Sequence, residues 1–188
     1  MSTHTQIIYH IVFGTKFRLP ALYQANRKVL FKYFWGVLKN KKCHVYRING
    51  VEDHIHILTH IHPTVALSNL IKDLKLASNS FIKKRRLFPG FKGWQQGYSA
   101  FTHHFNDKDR LISYIKNQEE HHKRVIWPEE LKALLKEHHI MCNEKYLIWK
   151  GLILSGFLYL NSFPRTSYEA IRIQPFRVRK RWLFLNSK

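Results

Sequence analysis

The stretch GVEDHIHILTHIHP, residues 50–63, carries four histidines, at positions 54, 56, 60 and 62. Alternate side chains of a β-strand share one face, and the rise is about 3.3 Å per residue, so His54 and His56 can converge on one ion. His54 and His60 lie about 20 Å apart by the same rise and cannot bind the same ion. At most one adjacent pair therefore forms a metal site. The alternative is that all four are polar residues on an outer face.

A second set of reactive side chains lies in SYIKNQEEHHK, residues 113–123. Tyr114 and Gln118 are spaced i and i+4, which places them on one face of a helix. A tyrosine hydroxyl is a nucleophile once its pKa of about 10 is overcome. The glutamine amide oxygen is a hard neutral ligand that suits Mg²⁺ or Mn²⁺. His121 and His122, one turn further on, are competing ligands, and an ordinary amphipathic helix is the alternative.

The charge of the chain indicates a polyanionic partner. Its 32 Lys and Arg residues face 12 Asp and Glu, a formal charge of +20, and residues 1–141 alone carry +13 (23 basic against 10 acidic side chains). Such basicity suits nucleic acid or an anionic membrane, and the interleaved aromatic residues favour nucleic acid because bases stack on them. For each basic residue the alternative is a solvated charged face. The expected phosphate contacts are Lys16, Arg18, Lys72, Lys75, Lys83, Lys84, Arg85 and Arg86.

Hydrophobic periodicity predicts the elements that position these residues. Strands are expected at 6–14, 43–50, 54–61 and 94–102, and helices at 22–39, 64–84 and 107–125. Asn49-Gly50 suggests a hairpin turn and Asp107 a helix N-cap. This order predicts an α+β, ferredoxin-like β-α-β-β-α-β core with an antiparallel sheet, helices on one face and an added C-terminal helix. The histidine face of the sheet is expected to stay free for a ligand.

The ends of the chain carry less information. There are two cysteines and no evident signal peptide, which fits a reducing cytoplasm. The apolar run 146–160 is shorter than the roughly 20 residues of a spanning helix, so a membrane partner is not expected. Residues 149–188 hold a single acidic residue, Glu169, and their end, PFRVRKRWLFLNSK, is basic and aromatic. We treat them as an appendage of unknown role: a DNA-contacting tail, a partner segment or a non-functional end.

Five stretches, in this order and spacing, carry a resemblance to a known family: YHIVFGTKFR (9–18), EDHIHIL (52–58), VALSNLIKDLKLASNSFIKK (65–84), WQQGYSAF (94–101) and YIKNQEEHHK (114–123). The chain resembles the single-tyrosine HUH transposases of small bacterial insertion sequences. The resemblance implies a catalytic domain over residues 1–148, with Tyr114 as nucleophile and His54, His56 and Gln118 as ligands of Mg²⁺ or Mn²⁺. It also implies a hairpin-forming single-stranded DNA substrate and a homodimer, often with exchanged tyrosine helices.

The activity that this resemblance implies is metal-dependent transesterification on single-stranded DNA, through a 5′-phosphotyrosine, which mobilises an insertion sequence. The phosphotyrosine would conserve the bond energy, and the sequence has no P-loop, so no nucleotide cofactor is expected. The expected location is the bacterial cytoplasm, at the nucleoid. Two alternatives stay open: an HUH endonuclease or domesticated relative that processes hairpin repeats, and a non-catalytic nucleic-acid-binding module of the same fold.

Overall fold

The computed structural model of this protein describes residues 4–141, which form four strands and five α-helices. In chain order these are β1 (Ile8–Gly14), α1 (Gln24–Asn40), β2 (His44–Gly50), β3 (His54–His60), α2 (Leu67–Arg85), β4 (Ser99–His103), α3 (Lys108–Lys116), α4 (Gln118–His121) and α5 (Trp127–Glu137). Short 3-10 turns at Lys16–Arg18 and Phe105–Asp107 precede α1 and α3.

The strands form one antiparallel sheet in the order β2-β3-β1-β4. In the register of β1 with β3, Gly14 lies opposite His54 and Val12 opposite His56. The β-α-β-β-α-β order and this strand order confirm the predicted ferredoxin-like fold class.

The main core lies between one face of the sheet and the helices α1 and α2. Alternation along β1 and β3 brings Ile11, Phe13, Ile55 and Ile57 to this face, where they are fully buried. The two helices cover them with residues at helical spacing: Leu30, Phe34 and Leu38 from α1, and Leu70, Leu74 and Ile82 from α2. The odd-numbered isoleucines between the histidines therefore pack under the helices, as predicted.

The opposite face of the sheet is covered as well. Leu111 and Ile115 of α3 pack on Ile8 of β1 and Leu58 of β3, and form a second buried cluster. The expectation of a free histidine face is therefore wrong at the site itself. Helices α3 to α5 close over the even-numbered side chains, because α3 offers its own apolar stripe to the sheet.

The single predicted helix 107–125 is interrupted in the structure. Helix α3 ends at Lys116, and Asn117 separates it from the single turn of α4. The side-chain amide of Asn49 donates hydrogen bonds to the carbonyl oxygens of Ile115 and Lys116, at 2.8 and 3.0 Å, and so satisfies the end of α3. Asn49 is a β2 residue paired with His56. The predicted turn at Asn49-Gly50 is therefore wrong, and the chain reverses over residues 51–53 instead.

Three further expectations need correction or fall outside the structure. Asp107 makes no capping hydrogen bond through its side chain, which pairs with Arg110 at 3.5 Å. Of the strand predicted over 94–102, only the part from Ser99 is regular, whereas Trp94 forms a single bridge with Thr15. Helix α5 was not predicted. The expected appendage 149–188 lies outside the described residues, and no helix within 4–141 is long and apolar enough to cross a bilayer.

Candidate active site

His54 and His56 lie side by side under α5, with fully buried side chains and ring centroids 5.0 Å apart. Each imidazole is held through its Nδ1 atom. His54 Nδ1 lies 2.6 Å from Asp53 Oδ1, and His56 Nδ1 lies 2.9 Å from His10 Nε2. A second partner on one ring nitrogen fixes the orientation of the ring and leaves the other nitrogen for a metal. The two Nε2 atoms are therefore the ones that could bind a metal.

His10, on β1, is itself buried among histidines. Burial, followed by the charge of His103, lowers the pKa of His10 to about 3. Burial and the neighbouring His54 also lower the pKa of His56 well below its ordinary value. Both rings are therefore neutral near pH 7, which is the protonation state that a metal ligand and its acceptor require.

Glu130 of α5 brings a carboxylate to the same point, with only 2% of the residue exposed. Its Oε2 atom lies 3.0 Å from His122 Nε2 and 3.5 Å from His54 Nε2, and its Oε1 atom lies 3.7 Å from His56 Nε2. One ligand atom from each of these four residues lies within 4.8 Å of the others. They form the one cluster of three or more His, Cys, Asp or Glu side chains with such spacing within residues 4–141.

The donor set fits a divalent cation. His56 Nε2 and Gln118 Oε1 are buried and make no hydrogen bond, although buried polar atoms are normally paired. Burial raises the pKa of the Glu130 carboxyl, but the imidazoles of His122 and His54 beside it outweigh burial and hold that pKa well below its usual range. The amide oxygen of Gln118 is a hard ligand that suits Mg²⁺ or Mn²⁺, and neutral imidazoles are ligands of divalent transition metals.

Tyr114 reaches this cluster from α3. Its hydroxyl donates a short hydrogen bond to Glu130 Oε1, and Gln118 Nε2 donates to the same oxygen at 3.0 Å. Burial, together with the charge of Glu130 and the bond to it, raises the pKa of Tyr114 above its ordinary value. Tyr114 and Gln118 thus meet at one atom despite the break at Asn117. The phenol is therefore protonated in this arrangement.

Arg18 closes one side of the site. Its guanidinium lies 3.8 Å above the ring of Trp127, at the start of α5, and 3.6 Å from Asp53. Phe17 and Arg18 both have positive φ angles, 60° and 56°, which side chains other than glycine rarely adopt. Gly14 makes room, since a Cβ there would lie 2.6 Å from Arg18 Nη1. The backbone is thus strained to hold this cation beside the cluster.

Comparison with known proteins identifies the family. The family profile described as "Transposase IS200 like" matches residues 3–118, more than half of the chain. The chain belongs to the IS200-like transposase family. Two curated transposases for insertion sequence element IS200, from Salmonella typhimurium (strain LT2) and Salmonella typhi, are each 29% identical over 120 residues, or 61% of this chain and 78% of theirs.

Two solved structures are similar at lower identity. A protein of Deinococcus radiodurans R1 described as a transposase gives a TM-score of 0.49 at 20% identity, covering 63% of this chain and 95% of its own. The REP-associated tyrosine transposase bound to a REP hairpin gives 0.48 at 14% identity, with coverages of 66% and 76%.

The basic residues predicted to bind DNA fall into three groups by their surroundings. Arg18 lies at the site, as described above. Most of the others are exposed: Lys16, Lys72, Lys83, Lys84, Arg85 and Arg86. The last four of these lie at the C-terminal end of α2 and its C-cap, and they form one basic end. Lys75 differs, because its ammonium donates to the carbonyl oxygens of Gln95, Gln96 and Gly97 at 2.9, 3.3 and 2.8 Å. Burial lowers its pKa to about 8. Its DNA contact stays a prediction, beside this role in holding loop 95–97.

Several residues of the site of this IS200-like chain were not predicted from sequence. Glu130 lies outside the matched residues 3–118, on a short helix with an ordinary amphipathic pattern. His10 follows a tyrosine in an apolar strand, and only its even-numbered register with His54 and His56 would have indicated it. Asp53 is the acidic residue beside the histidines, whereas the side chain of its neighbour Glu52 is exposed and the Glu52 carbonyl oxygen accepts from the backbone N–H groups of Ala21 and Leu22.

Proposed function

We propose that this protein is a DNA transposase that cleaves and rejoins single-stranded DNA through a covalent tyrosine intermediate, and thereby mobilises an insertion sequence. Family membership supplies the general activity. The observation that carries the specific proposal is the meeting of the Tyr114 hydroxyl and the His54–His56 pair at one buried carboxylate, Glu130. A nucleophile and imidazole ligands brought to one buried point suit phosphoryl transfer better than binding alone.

In the proposed reaction the Tyr114 oxygen attacks the phosphorus of a phosphodiester as its proton leaves. The bond between phosphorus and the 3′ oxygen breaks, that oxygen takes a proton, and the DNA 5′ phosphate stays on Tyr114. A 3′ hydroxyl of a second strand then attacks the phosphorus held on Tyr114. The bond between phosphorus and the Tyr114 oxygen breaks, and that oxygen takes back a proton. Each step therefore breaks one phosphorus–oxygen bond and forms one. No nucleotide is consumed at either step.

The ligands we propose for a divalent cation are His54, His56 and Gln118, with His122 as the competing candidate. When bound, such an ion polarises the scissile phosphate and withdraws charge from the reacting oxygens. Asp53 and His10 orient the two histidines, and burial keeps His10 and His56 neutral. The residues of this chain thus prepare the site before DNA arrives.

For the DNA we propose a single strand flanked by a hairpin, in the bacterial cytoplasm. Arg18 lies beside the cluster, and the basic end of α2 offers further phosphate contacts. Because Tyr114 and the histidines belong to one chain in this arrangement, the proposed reaction can proceed within one protomer. A homodimer, with or without exchanged tyrosine helices, remains part of the proposal on the resemblance alone.

The test is formation of a covalent adduct. Labelled hairpin DNA with a single-stranded flank is incubated with the protein and Mn²⁺, then run on a denaturing gel. The wild type should give a shifted band and Tyr114→Phe none. Tyr46→Phe is the matched control, because Tyr46 packs against the same apolar cluster as Tyr114. A shifted band in Tyr114→Phe would contradict the assignment of Tyr114 as the nucleophile.

The alternatives predict different products. An HUH endonuclease or a domesticated relative that processes repeats would form the adduct without joining a second strand. A nucleic-acid-binding module would bind the hairpin without any adduct, in the presence or absence of Mn²⁺. Addition of an unlabelled acceptor strand to the same reaction distinguishes all three, since the transposase alone should return a joined DNA product.

A further inference from the structure

The carboxylate of Glu130 lies where the proposed reaction needs a phosphate. Oε1 accepts hydrogen bonds from the hydroxyl of Tyr114 and from Gln118 Nε2. Oε2 lies 3.0 Å from His122 Nε2 and 3.5 Å from His54 Nε2. Glu130 therefore separates the nucleophile from the histidine ligands and presents to both the kind of anionic oxygen that a phosphodiester would present.

A phosphate cannot share that position. The attacking oxygen must reach phosphorus, and the same phosphate must approach the histidine side of the site. Two anions at one buried point repel each other strongly, because the surroundings screen charge poorly. We propose, on the basis of the function proposed above, that Glu130 occupies the subsite of the scissile phosphate in the resting protein, and that α5 withdraws when single-stranded DNA enters.

The way in which α5 is attached suits such a movement. Only Glu130 and Leu134 of this helix are buried, so Leu134 is its one buried aliphatic side chain. Its first residue, Trp127, contacts the ring of His54, with centroids 4.3 Å apart, and stacks against Arg18, a cation at the edge of the site. A DNA phosphate that binds Arg18 competes for the guanidinium holding Trp127. DNA binding can therefore both loosen the start of α5 and displace the Glu130 carboxylate.

The first test measures α5 directly. Amide hydrogen exchange over residues 127–137 is followed in wild-type protein with EDTA, which prevents cleavage, with and without a saturating single-stranded oligonucleotide. We expect faster exchange in α5 when DNA is bound, and little change in α1. Unchanged or slower exchange in α5, at a DNA concentration shown by anisotropy to saturate the protein, would overturn the proposal.

The second test removes the competing charge. Glu130→Gln should bind the single strand more tightly in EDTA, by about tenfold if the open form is a tenth of the resting molecules. Glu129→Gln is the matched control, because Glu129 is an exposed neighbour on the same helix with the same charge. An affinity gain in Glu130→Gln no larger than in Glu129→Gln contradicts the proposal.

The adduct assay separates this inference from the function beneath it. With Mn²⁺, Glu130→Gln should form the Tyr114 adduct at least as fast as wild type. If the adduct forms in wild type but more slowly in Glu130→Gln, then Glu130 is a working part of the site and the resting-state proposal fails alone. If no variant forms an adduct, the proposed function fails, while the exchange and affinity measurements still decide what α5 does.

Discussion

The hydrogen bond between His10 and His56 offers a sharp test of how the site is prepared. Its length is 2.9 Å, between His10 Nε2 and His56 Nδ1, in a fully buried environment. A metal on His56 Nε2 requires the proton on Nδ1, and neutral His10 accepts that proton. His10→Leu removes the acceptor, so His56 is left with an unpaired buried N–H and a ring free to turn.

The expected loss of metal affinity is that found when a residue that hydrogen-bonds to a metal ligand is removed. Such removal lowers metal affinity about 10- to 100-fold, which corresponds to about 1.4–2.7 kcal/mol. The unpaired N–H also lowers the free energy of unfolding of the metal-free protein, by about 1–3 kcal/mol. His10→Gln keeps an acceptor at this position and should retain more of the affinity.

Isothermal titration of the metal-free protein with Mn²⁺ measures the affinity, and urea denaturation of the same samples measures the stability. We expect weaker Mn²⁺ binding in His10→Leu than in His10→Gln, and the strongest in wild type. Equal affinity in wild type and in a folded His10→Leu protein would refute the idea that His10 orients a ligand.

The same structure makes three further predictions. The pKa of His10 is about 3 in the folded protein, against an ordinary value of 6.5. As pH falls between these values, the unfolded state binds a proton that the folded state does not, so the free energy of unfolding decreases. His10→Gln should reduce the slope of the free energy of unfolding against pH by up to about 1.4 kcal/mol per pH unit, measured by urea denaturation at a series of pH values. An unchanged slope would contradict a buried neutral histidine. Gly14→Ala places a Cβ 2.6 Å from the Arg18 guanidinium and should weaken single-strand binding in anisotropy assays, whereas Gly36→Ala, with nothing within 4 Å, should leave it unchanged. Replacing both Lys83 and Lys84 with alanine should lower the slope of log affinity against log salt by about 1.4, at about 0.7 per lost contact, and an unaltered slope would remove both from the DNA-binding surface.

Sequence patterns predicted the sheet and its main core because both depend on strong local periodicities. The alternation of isoleucine and histidine from 54 to 57 fixed the two faces of β3, and the resemblance to a known family indicated Tyr114 and Gln118. The break at Asn117 could not be predicted in this way, since no Pro or Gly marks it. It accompanies hydrogen bonds from Asn49, a residue of β2 distant in the sequence.

Glu130 illustrates a different limit of sequence analysis. An isolated glutamate on an amphipathic helix is usually exposed, and neither its spacing nor its neighbours distinguish it from Glu129. Only the packing of α5 on the histidine face buries one of the two glutamates. That packing depends on contacts with Tyr114, His54 and Arg18, which lie 16, 76 and 109 positions before their partners in α5. The meeting of Tyr114, Gln118 and the two histidines was predictable, but the element that closes over them was not.

The central claim is that Tyr114 becomes covalently attached to DNA. The most direct measurement is mass spectrometry of proteolytic peptides after the wild-type protein has reacted with hairpin DNA and Mn²⁺ and the DNA has been digested with nuclease. The account predicts a nucleotide 5′ phosphate on the peptide that contains Tyr114. Attachment to another residue, or unmodified Tyr114 in a reaction that has cleaved the DNA, would contradict it.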